Sequence, residues 1–384
     1  MTWREANRLQ QLPPYLFAAI NAKKAALAAQ GKDIIDLGVG DPDLPTPPHI
    51  VQALQRAAAD PANHRYPSYE GMPEFRQAVA GWYRSRFRVD LDPASEVVSL
   101  MGAKDGLAHT AWALFDSGDR VLCPDPAYPV YASQTMFAGA EVVTYPLLAG
   151  NRFLPDLDAL PTAGVKAIFL CYPNNPTAAA ADLEFYQRLV AWAARHGVII
   201  LNDGIYSEIC YDGFRAPSIL QVDGAKELAI EFHSLSKTYN MTGWRVGMAV
   251  GNRRLLAALL KVKTNSDSGV FQAVQHAAVA ALSGPQDCVL ENCRTYQERR
   301  DVLAAGLTKL GLEFQLPQAT FYLWLKTPKG MDSMQFTDLL LDKAQVTVIP
   351  GIGFGSHGEG FVRLALTVDK ARMAEAVERM AKVL

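Results

Sequence analysis

The chain has 384 residues, of which 49% are hydrophobic and 20% charged, with a formal net charge of −2; this describes a soluble globular protein rather than a disordered or membrane one. A charge balance so close to neutral supplies no field to gather nucleic acid or an anionic membrane, which leaves small-molecule chemistry as the class to look for. The length predicts a substantial interior shared between two domains.

The opening MTWREANRLQQLPPYLF lacks the basic start and apolar run of an export signal, and no apolar stretch reaches about 18 residues, so a cytoplasmic protein with no membrane span is expected. Next, DLGVGDPDLPTPPHIVQAL reads as a structured loop entering a helix near Pro48, where proline suits the first turn. HRYPSYEG is a turn-rich stretch carrying Tyr66 and Tyr69, followed by a helix starting near Met72. From there short apolar runs alternate with helical spacing: strands are expected over 97–100, 120–123, 165–171, 198–202 and 228–233, and helices over 107–115 and 183–195. That alternation predicts an α/β fold with a mostly parallel central sheet and flanking helices. The last third, helical but interrupted by TFYLWL and FVRLAL, predicts a smaller α+β unit. The domain reading is an N-terminal arm over 1–45 that joins the small domain, a large domain over 46–280, and a small domain over 281–384. Five cysteines form no CxxC pair; they are expected to be reduced and packed.

Several stretches carry chemistry. In EFHSLSKTYNMTGWRVG a strand runs into Ser234, Ser236 and Lys237, and Arg245 follows. Hydroxyls and cations at a strand end suit a phosphate, and a partly desolvated lysine beside other cations is pushed toward the neutral amine that an imine requires. In LNDGIYSE an apolar strand ends at Asp203, with Tyr206 three residues on. A carboxylate there needs a partner, which a protonated pyridine nitrogen supplies, and Tyr206 then faces the phenolic oxygen of the same ring; a helix N-cap is the plainer role for Asp203. CYPNNPT fixes Asn175 between prolines, placing its amide to bond that same oxygen. SLMGAKDGLAH is a strand, a glycine turn and a helix, whose first amides at Gly102, Ala103 and Lys104 suit an anion. DPAYPVY offers Tyr128 to lie against an aromatic ring. Arg363, in the middle of FVRLAL, must find an anion: a substrate carboxylate, or an internal acid.

In order and spacing, these motifs together resemble the fold-type I, class I/II aminotransferases, which depend on pyridoxal 5'-phosphate, over nearly the whole chain. The phrases LGVGDPDLPTP, HRYPSYEGM, GAKDGLAH, DPAYPVY, KTNSDSGVFQ and ATFYLWL look most like the LL-diaminopimelate aminotransferases. The resemblance implies a fold-type I transferase of lysine biosynthesis that moves an amino group between an amino acid, LL-2,6-diaminopimelate foremost, and 2-oxoglutarate. Aspartate or alanine as donor is the alternative, and a non-catalytic cofactor-binding regulator a remote one. It further implies Lys237 as the lysine that carries the cofactor, Tyr15, Gly40 and Asn265 near the substrate, and a homodimer in which Tyr66 reaches the neighbouring subunit's phosphate. In place of the family's frequent glycine after NPT stands Ala178, and in place of its usual asparagine after the aspartate stands Gly204. Tyr69 and Glu70 are the acceptors at hand for a distal ammonium. No metal site is expected.

Overall fold

The computed structural model describes residues 3–12 and 16–384. In chain order its strands are β1 (Ile35–Asp36), β2 (Val97–Leu100), β3 (Arg120–Asp125), β4 (Glu141–Pro146), β5 (Val165–Cys171), β6 (Ile199–Asp203), β7 (Ala229–Ser234), β8 (Gly247–Gly251), β9 (Tyr322–Lys326), β10 (Val346–Thr347), β11 (Ile349–Pro350) and β12 (Phe361–Ala365). Seven of them form one sheet in the order β2-β8-β7-β6-β5-β3-β4. Only β8 runs against its neighbours there; every other pairing is parallel. The three central strands read VKAIFLC, IILND and AIEFHS and are buried almost throughout, as strands covered on both faces must be.

The helices that cover the sheet begin and end on chemistry visible in the sequence. Helix Leu183–His196 starts where the Asp182 side chain accepts from the Phe185 amide and stops at Gly197, whose φ is 67°. Helix Pro48–Ala58 opens on its proline. Helix Ala103–Leu114 lies on helix Arg253–Ser266 through a buried charge cluster: Lys263 is fully buried, 2.9 Å from Asp267 and 3.7 Å from Asp105, with His109 3.1 Å from Asp105. The Lys263 ammonium is the cation of that acidic group, and it fastens the helix whose first turn faces the site described below.

The remaining strands form the antiparallel sheet β11-β12-β9 and the parallel pair β1-β10, which brings the N-terminal part of the chain beside its last third. All five expected strands are present with ends moved by a residue or two: β3 runs on to Asp125, and β6 and β7 each start and finish one residue later. Strands β4 and β8 were not expected. The first is a half-exposed edge strand whose EVVTYP alternates poorly, and the second, GMAVG, is short and bounded by glycines. No helix of the described residues is long and apolar enough to cross a membrane.

Candidate active site

Strands β5, β6 and β7 finish together, since Cys171 is paired with Asp203 and Asp203 with Phe232. Their carboxyl ends open onto a cavity of about 420 Å³, the place where α/β sheets hold ligands. Ala103, Lys104, Tyr128, Asn175, Asp203, Tyr206, Ser234, Ser236, Lys237, Arg245, Arg363 and Gly40 all line it. A larger cavity of about 1080 Å³ opens between the helices Pro73–Phe87 and Asp287–Lys309, and none of these groups reaches it.

Lys237 sits in the single helical turn Leu235–Thr238 that follows β7, capped by the Ser234 hydroxyl accepting from the Ser236 amide at 3.2 Å. Its Nζ donates to the Gly40 carbonyl at 2.8 Å. Burial lowers its pKa to about 8, with Arg363 and Arg245 pushing the same way and Asp41 opposing them. The result is an amine with a substantial neutral fraction near physiological pH.

Asp203 is fully buried at the end of β6, and burial raises its pKa to about 6 against the hydrogen bonds from Tyr131 and the Ile205 amide and the charge of His233. Tyr131 donates to Oδ2 at 2.7 Å, while Oδ1 is buried with no partner. A turn and not a helix follows Asp203, which removes the helix N-cap role. The sequence reading missed Tyr131; the only signal was a second tyrosine three residues after Tyr128 at the start of helix Val130–Phe137.

Asn174 ties down the loop after β5, donating to the Cys171 carbonyl and accepting from Thr177. Asn175 is thereby turned into the cavity, where its Oδ1 accepts from Arg363 Nη1 at 2.7 Å. That bond leaves the Asn175 amide NH₂ as the end able to donate to a ligand. Tyr206 lies with its hydroxyl 3.1 Å from that of Tyr322, a second residue missed because TFYLWL read only as a strand.

Arg363, in the centre of β12, is 6% exposed. Its guanidinium is stacked between the rings of Tyr322 and Phe354, at 4.1 and 4.8 Å, and its Nη2 donates to the Gly38 carbonyl. No carboxylate lies within salt-bridge distance among the described residues, which removes the internal ion pair as its explanation. A buried cation with no carboxylate partner wants an anionic ligand.

At the far end of the cavity, Gly102 caps the helix Ala103–Leu114 with φ 87° and no side-chain cap, so the first amides point outward. A Cβ on Gly102 would meet Arg245 Nη2 at 2.2 Å. Arg245, itself at φ 54°, therefore folds over the helix end and donates to the Met101 carbonyl. The buried Ser236 hydroxyl has no partner. Amides, a hydroxyl and a guanidinium at one helix N-terminus suit a phosphate. Three of the residues that line this cavity each carry a buried atom without a hydrogen-bond partner: Ser236 Oγ, Asp203 Oδ1 and Arg363 Nε. A flat, phosphorylated pyridine with a carboxylate-bearing substrate beyond it fits all three.

Two expected residues stand elsewhere in this single chain. Tyr66 is 87% exposed, and Asn265 is on the exposed last turn of helix Arg253–Ser266, bonded to the Lys261 carbonyl. Tyr15 lies outside the described residues.

Residues 32–380 match the family described as aminotransferase class I and II. The chain belongs to that family. The enzyme is 53% identical over its whole length to the LL-diaminopimelate aminotransferase of Syntrophobacter fumaroxidans, and 54% identical to that of Aquifex aeolicus over 98% of both chains. Among solved structures, apo-BacF from Bacillus subtilis superposes with a TM-score of 0.96 at 37% identity, covering 100% of this chain and 99% of the other. A Thermus thermophilus aspartate aminotransferase double mutant superposes with a TM-score of 0.94 at 31% identity, over all of both chains. This aminotransferase therefore has the fold-type I architecture and uses pyridoxal 5'-phosphate to exchange amino groups between amino acids and oxoacids.

Proposed function

We propose that the physiological amino donor is LL-2,6-diaminopimelate, that 2-oxoglutarate is the acceptor, and that Lys237 carries the cofactor and moves the proton. The observation that carries the reading is the desolvated Lys237 amine, flanked by the unpartnered oxygen of Asp203 and the unpaired guanidinium of Arg363. When bound, the cofactor supplies an electron sink that makes the hydrogen on the donor's α-carbon acidic.

This chain's own residues do the rest. The Ala103 and Lys104 amides, Ser234, Ser236 and Arg245 hold the phosphate. Asp203, whose other oxygen accepts from Tyr131, would hold the ring nitrogen and keep it protonated. Tyr128 would cover the ring, while the Asn175 amide and the Tyr206 hydroxyl would bind the phenolic oxygen. Arg363 grips the α-carboxylate, and its bond to Asn175 sets one fixed geometry between substrate and cofactor. Lys237, about half neutral at pH 8, would take the proton from the donor's α-carbon as general base and deliver it to the cofactor's C4' carbon as general acid.

The donor assignment is supported by the names of relatives at 53 and 54% identity over nearly full length. We further infer a homodimer in which the exposed Tyr66 and Asn265 complete the second copy's site, which accounts for their distance from the cavity of their own chain. Gly40 and Tyr15 border the substrate in this reading, and Glu70, whose carboxyl is held down by Ser68 against the effect of burial, is with Tyr69 the acceptor for the distal ammonium. Mixing the holoenzyme with LL-diaminopimelate, aspartate, alanine and glutamate one at a time, and following conversion of the cofactor to its amine form, tests the donor. Fast conversion by LL-diaminopimelate is expected; fast conversion by aspartate or alanine with none by LL-diaminopimelate would overturn it.

A further inference from the structure

Behind Asp203, on the far side of the same strand ends, lies a buried acid and imidazole that the proposed chemistry does not use. Glu231 on β7 is 1% exposed and accepts five hydrogen bonds: from Tyr83, Ser218 and His233 on one oxygen, and from Asn202 and the Ile219 amide on the other, at 2.6 to 3.1 Å. Burial works to raise its pKa, and the bonds and charge from His233, Ser218 and Tyr83 outweigh it, so the group stays ionised. Of the five donors only His233 can carry a compensating charge, and a buried carboxylate without one is costly.

The imidazole of His233 reaches from Glu231 to the turn that follows Asp203. Its Nε2 is 3.1 Å from Glu231 and its Nδ1 is 3.5 Å from the Ser207 hydroxyl, which is in turn 3.3 Å from Glu208. The rings of Trp82 and Tyr83 stand edge-on to it at 5.4 and 5.5 Å. Gly204 is what admits the ring: a Cβ there would lie 3.1 and 3.2 Å from two of its atoms. Gly204 also binds β7 directly, donating its amide to the Phe232 carbonyl. The position where this chain departs from the usual asparagine is therefore the position that makes room for His233.

We propose that His233 is a positioning residue for the cofactor ring: wedged against Gly204 and anchored on Glu231, it holds the turn from Asp203 to Ser207. The turn carries both Asp203 and Tyr206, so one imidazole fixes the two side chains that face the ring nitrogen and the phenolic oxygen. The charged and titratable groups around it are Glu231 on its own strand, Asp203 and Glu208 on the turn, and Tyr83 with Arg86 on helix Pro73–Phe87, where Arg86 is paired with Glu208. His233 opposes the burial that disfavours ionised Asp203.

The proposal rests on Asp203 being the partner of the ring nitrogen, and the experiment separates the two. Reconstituted His233→Gln, Gly204→Ala, the double variant and Asp203→Asn are compared with wild type by equilibrium affinity for pyridoxal phosphate and by the pH midpoint of the bound cofactor's visible absorption. Glutamine keeps a donor toward Glu231 and removes the ring that packs against Gly204; alanine at 204, where the backbone allows it, displaces the ring. A ring nitrogen that holds its proton less firmly withdraws fewer electrons, so the midpoint moves up. His233→Gln is expected to weaken affinity roughly tenfold and raise the midpoint by about one pH unit. Gly204→Ala should do the same, and the double variant no more than either alone, because both act through one ring. If His233→Gln does not fold, Gly204→Ala still decides. Wild-type affinity and midpoint in His233→Gln or Gly204→Ala, beside a large change in Asp203→Asn, overturn the role of His233 only; an unaltered Asp203→Asn overturns the assignment of Asp203 and this proposal with it.

Discussion

The hydroxyl of Tyr131 donates to one oxygen of Asp203 at 2.7 Å and leaves the other oxygen of the same carboxylate buried and bare. One oxygen is satisfied by the protein, and the other is left able to accept a hydrogen bond from a ligand. Tyr131 is itself fixed, stacked on Phe169 with ring centroids 5.2 Å apart.

Tyr131→Phe keeps that stacking and removes only the donor. A hydrogen bond to a charged group contributes about 1.5–3 kcal/mol, so kcat should fall up to roughly ten- to a hundredfold while KM for the amino donor holds, since Tyr131 is remote from Arg363 in role. Steady-state kinetics at fixed cofactor saturation check this. An unchanged kcat would show that the bond has no part in the reaction.

Without cofactor, Asp203 has a pKa of about 6, above its ordinary 3.8. A folded-state pKa raised in this sense means the folded chain binds the proton more tightly than the unfolded one between about pH 4 and 6, so this group's contribution to apoenzyme stability falls as pH rises through that window. Asp203→Asn removes the effect. The apo variant should match the wild type near pH 4 and exceed it above pH 6 by an amount of at most about 3 kcal/mol. Urea unfolding of both apo forms across that range measures the difference, and cofactor should reverse its sign.

Gly102 answers to two demands at once, a φ of 87° and the absence of a Cβ in front of Arg245. Gly102→Ala should therefore displace Arg245 and open the phosphate end. Strain of this kind costs about 1–3 kcal/mol, a loss of cofactor affinity of roughly ten- to a hundredfold. Affinity for inorganic phosphate, read by competition with the cofactor, should drop in parallel. Retained phosphate binding would separate Gly102 from the anion site.

The sequence made the scaffold legible where local chemistry was strong. Asp182 and Gly197 bracket their helix as capping rules require, and the unbroken apolar runs of β5, β6 and β7 mark a covered parallel sheet. Asp203, Ser234 and Ala103 were legible because they sit at the end of a strand or the start of a helix, and Arg363 because a guanidinium stands out in the middle of an apolar strand. Tyr131 and Tyr322 were not, because an aromatic in an apolar stretch has the same local signature whether its hydroxyl meets a carboxylate or nothing. Their partners, Asp203 and Tyr206, are 72 and 116 residues distant in the chain. His233 was hidden likewise: it reads as one polar residue in a buried strand until Gly204 is seen against its ring. Tyr66 and Asn265 mark the opposite case, residues named by resemblance whose place in the site a single chain does not explain.

The central claim is that Lys237 carries the cofactor and moves the proton during transfer from LL-diaminopimelate. Its most direct test is a single-turnover reaction of Lys237→Ala, loaded with pyridoxal phosphate and mixed with excess LL-diaminopimelate, while release of the oxoacid is followed. The account predicts that the variant binds cofactor without the visible absorption of a lysine-linked form and releases almost no oxoacid, whereas wild type completes the turnover. Oxoacid release by Lys237→Ala at the wild-type rate would contradict it.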